Sequence, residues 1–128
     1  MEKERTILGI DPGTQLLGFG IIRSIGKKAE YVDMGVLDLR KEKDAYVKLK
    51  AIYDTISEVC KSYHPTELAI ESPFYGKNAQ VVLKLGRAQG SAMIAALEYG
   101  VRIQNMRLII ISQSTRYVLF NCKLKHHL

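Results

Sequence analysis

The sequence has no apolar run approaching the roughly 20 residues needed to cross a bilayer. Its opening residues, MEKERT, are charged and lack the apolar core of a secretory signal. Cysteine is scarce: Cys60 and Cys122 have neither metal-ligand nor redox spacing, so they read as reduced thiols of a cytosolic protein. There are no internal repeats, low-complexity segments or linkers, so the 128 residues read as one domain, long enough to bury a core. Carboxylates are missing from the last part of the chain. No Asp follows Asp54 and no Glu follows Glu98, whereas Arg102, Arg107, Arg116, Lys123 and Lys125 do. With a net charge of +6 and a pI near 9.4, the balance favours a polyanionic partner, nucleic acid above all.

What is present has a changing period. Residues 6–10 form an apolar run, and residues 17–23 and 31–39 read as two further strands, with Gly26, Lys27 and Lys28 as the turn between them. Short connections make these three an antiparallel meander. From Asp44 the period shifts: Leu49, Ile52, Tyr53, Ile56, Val59, Cys60 and Tyr63 mark one face of an amphipathic helix. Asp44 is its N-cap, and His64-Pro65 stops it. Residues 68–70 are a brief strand reached by a helical crossover and so lie parallel to the first. A second helix over about residues 78–99 is rich in Gly, Ala and Ser. Gly86 and Gly90 cost such a helix about 1 kcal/mol each relative to Ala, which the close approach of another element would explain. A fifth strand is expected over residues 101–111.

Two carboxylates stand out. Asp11 ends the first strand and Glu71 ends the fourth. If those strands are parallel neighbours, both acids leave the same edge of the sheet, where open α/β sheets bind ligands. Converging carboxylates repel unless a cation lies between them. Hard Mg²⁺ takes a few carboxylate oxygens and leaves other positions for water and phosphate, and pairs of such ions serve phosphodiester hydrolysis. The plain alternatives are that Asp11-Pro12-Gly13 is turn chemistry, with Gly13 at positive φ, and that Glu71 is a solvated strand end. His64 reads as a turn residue, and His126 and His127 as a frayed tail.

The stretches ILGIDPGTQLLGFGII (residues 7–22) and LAIESPFYGKNAQVVLKLGRAQG (residues 68–90) decide between these readings. Together they resemble the RuvC-type Holliday junction resolvases, over residues 7 to about 100. The resemblance implies an α/β, RNase H-like mixed sheet, three antiparallel strands followed by parallel ones, flanked by helices and incomplete at the C-terminus. It implies a dimeric, bacterial and cytoplasmic endodeoxyribonuclease that cuts four-way DNA junctions by paired phosphodiester hydrolysis in recombination and repair. Its partners would be junction DNA, a second copy of the chain and a branch-migration helicase complex, with no membrane. Asp11 and Glu71 correspond to the first two metal-binding carboxylates of that family, which takes two Mg²⁺ ions per intact site, Mn²⁺ being able to substitute. Phe74 corresponds to the aromatic that contacts unstacked bases, while Lys77, Asn78, Lys84 and Arg87 fall where DNA is contacted.

The chain also departs from the family. The later Asp-x-x-Asp or Asp-x-x-His pair has no counterpart here, and the pattern fades after about residue 104. The run QNMRL (residues 104–108) can be encoded so that a shifted frame reads Glu-Tyr-Ala-Pro, which this family carries in its fifth strand. Residues 105–128 are therefore expected to be an aberrant, frameshifted or truncated tail, leaving cleavage impaired. Two rival readings follow: a junction-binding module without catalysis, and an actin-like or sugar-kinase ATPase fragment that would share the Gly-Ile-Asp-Pro-Gly-Thr loop.

Overall fold

The computed structural model describes residues 3–11, 13, 15–26, 28–70 and 78–105. Seven elements follow in order: β1 (Glu4–Asp11), β2 (Leu16–Ile25), β3 (Lys28–Asp38), α1 (Ala45–Tyr63), β4 (Glu67–Ile70), α2 (Ala79–Glu98) and β5 (Arg102–Asn105). The sheet runs β3-β2-β1-β4-β5. The first three strands form the expected antiparallel meander, with Ile10 opposite Phe19 and Phe19 opposite Gly35. β4 joins β1 in parallel, Ile10 in register with Ile70, and β5 continues parallel to β4. The expected fifth strand is thus met through Asn105, and its remainder lies outside the described residues.

Strand alternation divides the sheet into two faces. Leu8, Ile10, Leu68 and Ile70 enter the main core with Ile52, Ile56, Val59 and Cys60 of α1 and Ala88, Ala92, Ala95 and Ala96 of α2. Ile7, Ile22 and Ala69 form a smaller buried cluster, and the period of two assigns them to the opposite face. The small residues of α2 allow the two helices to lie close, and Ser91 Oγ donates to the Leu49 carbonyl of α1 at 2.6 Å. Among the described residues no helix is long and apolar enough to cross a membrane.

The helix signals behave as their chemistry dictates. Asp44 Oδ1 accepts from the N–H groups of Tyr46 and Val47 at 2.8 and 3.2 Å, satisfying two donors that have no partner within the helix. His64 ends α1 in the left-handed region at φ 49°, its N–H donating to the Cys60 carbonyl. Histidine tolerates that region better than branched residues do. One expectation is corrected. Gly13 does not take positive φ, unlike Gly26 and Gly100. A side chain is excluded there because a Cβ would stand 2.1 Å from the Leu16 carbonyl oxygen.

Candidate functional site

The site begins where β1 ends. Ile10 is buried in the core, and Asp11, the last residue of the strand, is half-buried opposite Gly18. The parallel register brings Ile70, the last residue of β4, beside Ile10, so the carboxyl ends of both strands share one rim of the sheet. That rim is where open α/β sheets gather ligands. Glu71, Phe74 and Lys77 lie outside the described residues. Asp11 supplies hard oxygen donors of the kind Mg²⁺ selects. Among the described residues no three His, Cys, Asp or Glu side chains gather around a common point, so those donors fit a cation without completing its site.

At the opposite rim the same strands are tied electrostatically. Glu67 begins β4 and is 3% exposed. Arg5 of β1 donates to it from Nε and from Nη2, the latter at 2.8 Å. From β5, Arg102 Nη2 and Gln104 Nε2 reach Glu67 Oε1 at 3.2 and 2.6 Å. Burial opposes ionisation of this carboxyl, but the arginine hydrogen bonds and charges outweigh it and hold the group below its ordinary range. One buried acid thus joins three parallel strands and fixes the register that aligns their far ends.

The remaining predicted residues lie on α2. Asn78 is its N-cap, with Oδ1 accepting from the Gln80 N–H at 2.8 Å. Lys84 and Arg87 line a cleft of about 200 Å³ between α2, the start of α1 and the turn after β1. Leu39, Leu49, Ile52 and Ala88 supply its apolar lining, while Gly13 and Gln15 close it on the strand side. Lys43, Tyr46 and Lys48 line the same cleft. The sequence reading missed these three residues. Their signal was present in KEKDAYVKLK (residues 41–50), where lysines flank the N-cap of α1.

Gly86 and Gly90 have a different environment. A Cβ at either would meet nothing within 4 Å, so packing within the described chain does not demand glycine there. Leu83, Ile94 and Leu97 are exposed on α2, each more than half. Helical spacing brings these three and both glycines onto one stripe.

Comparison with known proteins bears on this architecture. The family model described as crossover junction endodeoxyribonuclease RuvC matches residues 7–114. The enzyme of that name from Christiangramia forsetii is 54% identical over 103 residues, covering 80% of this chain and 54% of the relative. The one from Bacteroides fragilis is 52% identical over 101 residues, covering 79% and 54%. The solved structure of T. thermophilus RuvC in complex with a Holliday junction substrate superposes with a TM-score of 0.71 at 27% identity, over 79% of this chain and 63% of that one. The chain spans about half the length of the curated relatives it matches. The mixed sheet is accordingly the RNase H-like fold expected from the sequence, and the chain belongs to the RuvC family of crossover junction endodeoxyribonucleases.

Proposed function

We propose that this chain carries the catalytic rim of a Mg²⁺-dependent endodeoxyribonuclease that resolves four-way DNA junctions by paired phosphodiester hydrolysis. The observation that carries this reading is the parallel register aligning Ile10 with Ile70, because each immediately precedes one of the two acids that the family resemblance assigns to metal binding. Asp11 and Glu71 are the residues that would hold Mg²⁺, or Mn²⁺ in its place. When bound, such ions activate water and stabilise charge on the phosphate. The chain's own part is to fix the acids at one rim, to set Lys84 and Arg87 toward phosphates, and to offer Phe74 as a stacking surface for an unpaired base.

A two-fold enzyme suits paired cuts. The stripe of Leu83, Gly86, Gly90, Ile94 and Leu97 is the surface through which two copies would pair, its glycines allowing two helices to approach closely. A branch-migration helicase as further partner rests on the family resemblance alone.

The test uses four-way DNA and the Asp11→Asn variant. The wild-type chain with Mg²⁺ should shift the junction in a gel and nick it weakly but measurably, since the later acidic pair of the family has no counterpart in this sequence. Asp11→Asn should keep the shift and lose at least about 10²-fold in nicking rate, the scale of losing preorganised charge stabilisation. A shift with no nicking by the wild type selects a junction-binding module instead. Equal nicking by both proteins removes Asp11 from the mechanism.

A further inference from the structure

We propose that β3 is a pairing edge for a second copy of the chain and that Asp33 is the residue that keeps this edge shut. β3 is an outer strand of the sheet and pairs, among the described residues, with β2 alone. With 11 residues it is the longest of the five described strands, and an outer strand of that length offers a row of backbone groups to any other strand. Two identical outer strands can pair antiparallel about a two-fold axis, which makes another copy the natural occupant. Centred on Asp33, that pairing sets each Lys28 against an Asp38, an attraction at both ends of the strand. It also sets Asp33 against itself, and like charges directly opposite destabilise a strand pair. Two hydrogen bonds hold Asp33 in that position. Its Oδ1 accepts the Met34 N–H at 2.8 Å, and its Oδ2 accepts the hydroxyl of Tyr63, the last residue of α1. The same two donors, Tyr63 first, keep the carboxyl below its ordinary range, so it is charged at neutral pH. The Met34 N–H, already satisfied, has nothing to offer a neighbouring strand. Val32 completes the closure. Ile21 pairs with Asp33 and Ile22 with Tyr31, leaving Val32 as an extra residue, and such a bulge bends and twists its strand. The inference is independent of the resolvase reading.

The experiment compares the full wild-type chain with Asp33→Ala, Asp33→Asn and Asp33→Lys by sedimentation velocity over a concentration series at neutral pH. Far-UV circular dichroism checks that each variant is folded. Asp33→Ala removes the charge and frees the Met34 N–H. A species of twice the wild-type mass should then form at a protein concentration at least about tenfold lower than for the wild type. Asp33→Asn keeps an oxygen for Met34 and loses only the charge, so the same species should form at a concentration lower by about two- to fivefold. It carries the test if the alanine variant does not fold. Asp33→Lys loses the same hydrogen bonds as Asp33→Ala but restores a like charge at the two-fold, so it should stay at the wild-type mass. Amide hydrogen exchange in Asp33→Ala should slow across residues 28–38 as protein concentration rises. Folded alanine and asparagine variants that both stay at the wild-type mass would overturn the inference. Heavier species from Asp33→Lys as well would overturn it too, by tracing association to a loosened fold. Slowed exchange confined to α2 would do the same, by placing the contact on another surface.

Discussion

Replacing Glu67 with Gln asks whether the alignment of the rim that carries Asp11 is held from the other end of the strands. Gln keeps the volume, removes the charge, and turns one of two accepting oxygens into a donor facing cations. Hydrogen bonds to charged groups contribute about 1.5–3 kcal/mol, and breaking a fully buried pair costs about 3–5 kcal/mol. Here the partners are not fully buried: the side chains of Arg5 and Arg102 are 34% and 71% exposed, so both regain water when the acid is lost. The expected cost is therefore about 1.5–2.5 kcal/mol, most of it from Arg5, which donates twice. Urea unfolding at neutral pH should show a lower midpoint with an unchanged slope. The pH dependence gives a second check. The folded carboxyl ionises below its ordinary value, so its stabilisation is complete above the unfolded value of about 4.3 and is lost as pH falls through the folded one. The gap between wild type and variant should stay level from neutral pH to about 5 and close below about 4. Equal midpoints at neutral pH, or a gap that persists undiminished into strong acid, would refute the electrostatic account of the register.

Further outcomes follow from packing, surface and reactivity. Gly35→Ala should destabilise by about 1–3 kcal/mol in thermal or urea unfolding, because its Cβ would stand 2.5 Å from Phe19 Cζ on the paired strand; pairing it with Phe19→Leu should recover part of the loss, and a neutral Gly35→Ala would contradict the packing. The double change Ile94→Arg and Leu97→Arg should leave a monomer by sedimentation velocity, since it places charge on the exposed stripe of α2; a dimer that survives it must use another surface. Burial pushes the Cys60 thiol up to about 11, so Cys60 should resist a disulfide reagent in the native protein at mildly alkaline pH and react once unfolded. Rapid native modification of Cys60, located by peptide mapping, would contradict that burial.

Much of this molecule is legible along the chain because the signals are local. The apolar runs, the change from period two to 3.6 at Asp44, the Asp44 and His64 caps, and the order of the seven elements depend on neighbours within a few residues. The stretches of residues 7–22 and 68–90 carried the resemblance to the family. Only tertiary structure decided which strands touch. The parallel register of Ile10 with Ile70, the burial of Glu67 among Arg5, Arg102 and Gln104, and the meeting of Lys43 and Lys48 with Lys84 and Arg87 each join residues far apart in sequence. No local propensity encodes such meetings, since they follow from how the sheet and helices pack. Glycine shows the division most plainly: the sequence marks Gly13, Gly86 and Gly90 as special, but a carbonyl against the first and open space over the other two are properties of the folded chain.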